Sequence, residues 1–393
     1  MSVDGISKPP WHNSRSMMRK LNLKWQFKGD KIILMIVVFL SLLSVLMVFS
    51  TSNMRVLTHL AHIAVCYALM IICYLLDYRI IGIATPLMLL FAAGLLVLTI
   101  ISQAVRGVTI FGHDVQTFYL IGFLVLFYIT NYIAHKYNNG QELTDRNTLY
   151  LLGLAGCFSI GMAKLNMSTA IIFFTTCAVI FFIAKIKTKW LLAYVGTGVL
   201  GAVLIASVVL IGMKSDRNIE IGRMSTFVNR ITYYITKDNV NGYGDQMVLS
   251  RAAIARGSFH PTGPGKGVIK YRLPENSTDY AFASIYEELG IFVGILIIMS
   301  YLIFFYRARE ISKDSGGPFG RLFAFTIGFW LTCQALVHIG VNCDLLPATG
   351  QTLPFISSGG ASLAVSGIAV GILLNISKVN NLRKDNDTSP YSN

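Results

Sequence analysis

Charge is scarce in this chain. Asp, Glu, Lys and Arg make up 13% of the 393 residues while hydrophobic types make up 54%, and a soluble domain carries about a quarter charged. With a mean hydropathy of +0.60, that deficit excludes an ordinary soluble globule. Acids are scarcest, 19 against 33 Lys and Arg. The net +14 is scattered among short loops and gathers in no single stripe, which excludes nucleic acid as the partner and leaves the membrane as the surface it serves. Cysteine is also sparse: Cys66, Cys73, Cys157, Cys177, Cys333 and Cys343 lie in or beside apolar runs with no C-x-x-C pair. They read as small core residues and not as metal ligands or disulfides. No small-residue cleavage site follows the first apolar run, so the basic N-terminus reads as a retained signal anchor.

What is abundant is apolar sequence in lengths that cross a bilayer. Ten runs stand out, at 32–50, 57–76, 80–102, 118–134, 148–164, 169–185, 191–213, 281–305, 322–341 and 358–376, which predicts an all-α polytopic membrane protein of about ten transmembrane helices. With the N-terminus inside, the short outer loops hold only Arg55, Arg106 and Lys164. This bias predicts a cytoplasmic basic segment over 1–31, a membrane domain over 32–377 and a cytoplasmic, disordered polar tail over 378–393.

The one sizeable polar stretch, 214–280 between the seventh and eighth helices, is then extracytoplasmic. Met224, Phe227, Val228, Ile231, Tyr234 and Ile235 recur at helical spacing, which predicts a segment lying flat on the membrane, with Arg223, Arg230 and Lys237 on its other side. A second helix is predicted over 246–256, ending at Gly257. It leads into Gly263-Pro264-Gly265-Lys266-Gly267, whose glycines let backbone amides approach an anion while Lys266 adds a point charge. This is no Walker loop, because no Ser or Thr follows the lysine.

Asp279 stands where this loop enters the eighth helix. An acid at that depth reads either as a functional group held by a polar cavity or as a solvated N-cap favoured by the helix dipole. Gln334, His338 and Asn342, four apart, form a polar seam on the ninth helix. The Pro- and Gly-rich stretch 346–362 reads as a re-entrant hairpin roofing the site that Asp279 faces. Arg106 pairs either with a substrate phosphate or with Asp114.

Two blocks carry a family resemblance. Pro274-Glu275, Asp279-Tyr280-Ala281-Phe282-Ala283 and Glu287-Glu288-Leu289-Gly290 form the first; Pro347, Thr349-Gly350, Thr352-Leu353-Pro354-Phe355-Ile356-Ser357 and Gly359-Gly360 form the second. Together they resemble the SEDS family of bacterial proteins (shape, elongation, division and sporulation), most nearly its FtsW branch. Departures occur at Gly107, where the family has Trp, at Asn166, where it has Asp, and at His338, where it usually has Asn.

The resemblance implies a peptidoglycan glycosyltransferase polymerising lipid II at the outer face of the inner membrane, in septal wall synthesis. Its expected partners are a class B penicillin-binding protein and other divisome proteins. Asp279 would be the base for the acceptor hydroxyl. Lys266, Arg251, Arg256 and Arg106 are candidates for the pyrophosphate, with Glu287, Glu288, Ser357, Gly359 and Gly360 as further substrate contacts. A divalent cation is a further candidate for that work, but no cofactor is fixed and no ligand cluster marks one. A lipid II flippase and a non-catalytic division scaffold are the rival readings.

Overall fold

The computed structural model describes residues 27–51, 53–102, 108–110, 113–215, 230–236 and 243–387. Twelve α-helices account for most of them: α1 (Lys31–Thr51), α2 (Asn53–Leu75), α3 (Tyr78–Ile83), α4 (Thr85–Ile101), α5 (Thr117–Asn138), α6 (Asp145–Leu165), α7 (Met167–Ile183), α8 (Thr188–Ser215), α9 (Tyr243–Phe259), α10 (Ala281–Asp314), α11 (Pro318–Asn342) and α12 (Gly360–Asp387). An antiparallel two-stranded ribbon, β1 (Val108–Ile110) and β2 (His113–Val115), pairs Thr109 with Asp114 between α4 and α5. Seven described helices are long and apolar enough to span a membrane, and three shorter apolar helices accompany them. Each overlaps one of the ten apolar runs.

Between helices in lipid, burial gives no hydrophobic gain, so close packing and interhelical hydrogen bonds carry association. Both are visible where α12 crosses α2. Gly367 and Gly371 lie four apart on α12, and a Cβ on either would stand 2.5 Å from the Cys66 carbonyl oxygen or 2.4 Å from that of Met70. Only glycine lets the backbones approach this far. Asn375, one turn on, donates to the Tyr74 carbonyl at 2.7 Å and accepts the Tyr78 amide at 3.1 Å. Aromatic rings do the equivalent work between α5 and α11: Phe127 and Phe323 meet edge-on at 4.1 Å between centroids, and Trp330 fills the space over Gly122.

Three expectations are corrected. Residues 80–102 do not form one helix, because Asp77 caps the short α3 and Pro86, near the start of α4, cannot continue it. The tail is helical past 377: α12 runs on to Asp387, fixed by Asn380 donating to the Ile311 carbonyl at 2.9 Å and by Lys384 pairing with Asp314 at 2.6 Å. Helix α9 does not stop at Gly257. That glycine lies inside it, where a Cβ would stand 2.1 Å from the Tyr286 carbonyl oxygen, so it sets the contact between α9 and α10.

Candidate functional site

Helix α10 is broken at Gly290, whose φ of +81° and ψ of −173° are open only to glycine. The break frees the carbonyls of the preceding turn. Thr262 and Gly263 take them up, donating to the Glu287 and Glu288 carbonyls at 3.1 and 3.0 Å. The half-helix 281–289 is thereby tied to the loop that follows α9.

The two glutamates sit on that half-helix and both are buried. Glu287 accepts the amides of Val268, Ile269 and Lys270 at 2.9, 3.0 and 3.2 Å, capping the 3-10 turn Ile269–Tyr271. Glu288 pairs with Lys270 at 2.5 Å and accepts from Ser50 and the Gly267 amide. Lys270 also donates to the Ser50 carbonyl at 2.7 Å and to the Ser50 hydroxyl. Two carboxylates thus clamp the loop to α10 and to the end of α1. Neither Lys270 nor Ser50 was a candidate on sequence; the lysine reads there as one more loop cation.

Asp279 is half-buried, eight residues before Glu287. Its amide donates to the Glu275 carbonyl at 3.0 Å. The Asn342 side chain donates to the Asp279 carbonyl at 3.1 Å while its own oxygen accepts the Ala283 amide at 3.0 Å. Asn342 therefore fixes the register of the acid against α11. The carboxylate lies over Gly350, where a Cβ would stand 3.3 Å from Asp279 Oδ2 and 3.7 Å from Arg230 Nη1. A carboxylate and a guanidinium thus converge on one glycine of the hairpin, and Arg230 also donates to the Ala348 carbonyl at 3.5 Å. Next to Asp279, burial lifts the Tyr280 phenol to about 12, with Arg230 opposing and the Asp279 charge reinforcing the rise. Tyr280 is neutral at physiological pH.

The hairpin has its backbone satisfied by protein, as a re-entrant segment would require. His338 Nδ1 donates to the Gln351 carbonyl at 2.7 Å and Gln334 to the Thr352 carbonyl at 3.2 Å, so the seam on α11 reads successive residues of the loop. Tyr119 accepts the Thr352 amide at 3.0 Å, and Tyr301 donates to the Pro354 carbonyl at 2.5 Å. Gln351 reaches Thr169 at 2.7 Å and Asn166 at 3.3 Å. Asn166 caps α7 as well, through the Ser168 and Thr169 amides.

The remaining candidates divide. Ser357 accepts the Leu353 amide and donates to the Thr278 carbonyl, at 2.8 and 2.7 Å, so its hydroxyl joins the hairpin to the Asp279 loop. Gly359 precedes α12, and Gly360 packs on the His62 ring, 2.9 Å from a would-be Cβ. Arg251 is exposed and pairs with Asp344 at 3.2 Å. Lys266 and Arg256 are exposed. Arg106, Arg223 and Lys237 lie outside the described residues.

The expected membrane-lying segment is described only over 230–236. There Tyr233 packs with Met247, Val341 and Ala348, and Tyr234 donates to the Leu345 carbonyl at 2.9 Å. Its two tyrosines thus find partners on α9, α11 and the hairpin, while Ile235 stays 63% exposed. Among the described residues no three His, Cys, Asp or Glu side chains gather as metal ligands.

A multi-pass helical membrane protein whose half-buried Asp279 meets a Pro- and Gly-rich hairpin is the class these features define. The chain belongs to the cell cycle protein family of FtsW, RodA and SpoVE, matching it over residues 26–382, and within that family to the FtsW branch. The probable peptidoglycan glycosyltransferase FtsW of Pseudoalteromonas translucida (strain TAC 125) is 32% identical over 305 residues, 75% of this chain and 72% of that protein. Its counterpart in Coxiella burnetii is 28% identical over 301 residues, 73% of this chain and 77% of that one. In fold, the chain is similar to the rod shape determining protein RodA of Thermus thermophilus, with a TM-score of 0.58 at 18% identity over 89% of this chain and 96% of that one. A chain from a structure described as the coordination of polymerization and crosslinking by a peptidoglycan synthase complex gives a TM-score of 0.67 at 18% identity, over 90% and 98%.

Proposed function

We propose that the protein is a peptidoglycan glycosyltransferase that polymerises lipid II at the outer face of the bacterial inner membrane, with Asp279 as its base. Membership of the family supports the activity. The observation that carries the site is the convergence of Asp279 and Arg230 on Gly350. Asp279 accepts the proton of the acceptor GlcNAc 4-hydroxyl as that oxygen attacks the MurNAc anomeric carbon, and undecaprenyl pyrophosphate departs. A pyrophosphate leaves as an anion, so a single carboxylate suffices and cations do the remaining work. Arg230 is the side chain nearest that task, since a guanidinium binds phosphate oxygens in pairs. Lys266, Arg256 and Arg251 serve as outlying charges that draw the substrate in, and Arg106 remains a candidate for the same anion. Glu287, Glu288 and Ser357 hold the loops in place and do not touch substrate.

Both termini are cytoplasmic in this reading, by the bias of basic residues across the loops. A class B penicillin-binding protein is the working partner, and septal synthesis with other divisome proteins is the setting.

The test is glycan-strand formation from lipid II by the purified protein with its transpeptidase partner, comparing Asp279 with Asp279→Asn. Polymer from the native form alone is the expected result. Equal polymer from both keeps the enzyme and removes Asp279 as base. Silence from both, with lipid II crossing vesicle membranes, transfers the assignment to a flippase; silence in both assays leaves a scaffold.

A further inference from the structure

The end of the bundle remote from Asp279 carries a cavity that the reaction above does not use. Helix α11 starts at its wall and ends at Asn342, beside Asp279, so about 36 Å separates the two sites. The cavity measures about 760 Å³ and lies between α3, α5, the start of α11 and the end of α12.

Its chemistry is of one sign. Arg79 and Arg383 line it, together with Tyr78, Asn131, Gly317 and Phe319, and no Asp or Glu does. Asp77 accepts the Arg79 amide as the cap of α3, and Asp314 pairs with Lys384. Gly317 caps α11 with no side chain to accept its amides, which leaves the positive end of that helix dipole at the cavity wall. Gly316 makes room for a cation, because a Cβ there would stand 1.7 Å from Arg383 Nη1. Arg79 lies over the Tyr78 ring at 5.9 Å.

Apolar side chains stand near this basic hollow. Ile80 and Ile83 on α3 are 65% and 81% exposed, and Leu382 is 39% exposed on the lining itself. Two guanidinium groups, a helix N-terminus and an apolar rim at the end of a membrane bundle suit a molecule with an anionic head and acyl chains. A hollow of this size holds one headgroup and not an extended protein segment.

We infer that this cavity binds the phosphate of an anionic phospholipid headgroup, in the leaflet opposite the one that Asp279 faces. The site stands whatever reaction Asp279 performs.

The experiment titrates the full-length protein in detergent with phosphatidylglycerol, with phosphatidylcholine and separately with inorganic phosphate, reading bound lipid by native mass spectrometry and protection by thermal unfolding. Phosphatidylglycerol is retained over phosphatidylcholine, and Arg79→Gln and Arg383→Gln each weaken it about fivefold. Protection by inorganic phosphate alone, lost in the same variants, keeps the anion site and assigns a soluble phosphate as its ligand. Variants that bind phosphatidylglycerol as the native protein does, or equal retention of both lipids by the native protein, overturn the inference. If the variants do not fold, a photoreactive phosphatidylglycerol on the native protein decides: labelling within 78–83 and 379–383 supports the site, and labelling confined to other segments removes it.

Discussion

Substituting Gly350 by alanine separates the hairpin's structural task from its part in catalysis. The residue has a φ of +66°, and a left-handed backbone costs a residue with a Cβ about 1–2 kcal/mol. The added methyl also meets the site directly, 3.3 Å from Asp279 Oδ2 and 3.7 Å from Arg230 Nη1. The first contact is tight enough that the carboxylate must shift by a few tenths of an ångström. Because a misplacement of about 1 Å costs a reaction about 100-fold, a roughly tenfold loss of polymerisation is expected from the shift. Gly140 supplies the control, since it has a φ of +65° and nothing within 4 Å of a would-be Cβ. Thermal unfolding in detergent should therefore show similar losses for Gly350→Ala and Gly140→Ala. Lipid II polymerisation, followed by gel separation of glycan strands, should fall only in Gly350→Ala. Equal activity in the two variants would refute the claim that the hairpin sets the position of the base.

Arg230→Ala is expected to lower kcat about 100- to 1,000-fold with little change in thermal stability, because it removes one preorganised charge from the leaving group; an unchanged kcat in steady-state assays would remove Arg230 from the site. The Lys270–Glu288 pair, with side chains 1% and 5% exposed, predicts a different pattern. Lys270→Met and Glu288→Met alone each cost about 3–5 kcal/mol, and the two together cost less than either, because a buried charge without its partner is the expensive state. Unfolding measurements in which the two losses simply add would refute the pairing.

The spans were legible because an apolar run of bilayer length needs no partner to declare itself. Breaks inside such runs were harder. Pro86 and Gly290 were present as signals, yet Gly290 becomes a break only because Pro261 lies against it, 2.8 Å from a would-be Cβ, and because Thr262 and Gly263 take up the freed carbonyls. Asp279 and the hairpin carried their own sequence pattern. Arg230 did not, because its place beside Asp279 depends on Tyr233 and Tyr234 packing against residues more than a hundred positions later. Lys270 looked like a loop cation for the same reason: its partner Ser50 is 220 residues away. Composition reports depth in the membrane, whereas neighbours across the bundle are set by packing.

The crossing of α2 by α12 bears on how the chain is made. Synthesis proceeds from the N-terminus at about 5–20 residues per second, so α2 waits roughly a quarter of a minute to a minute for the helix that covers it. During that interval the Met70 and Cys66 backbone, the Ser44 hydroxyl that will meet the Ile356 carbonyl, and the α3 cap awaiting Asn375 all lack their mates. Among the described helices, an early pair is thus completed by one that follows it by nearly 300 residues. Cys66, 1% exposed in the finished fold, lies at that crossing, its carbonyl oxygen and thiol 2.5 and 2.8 Å from a would-be Cβ on Gly367.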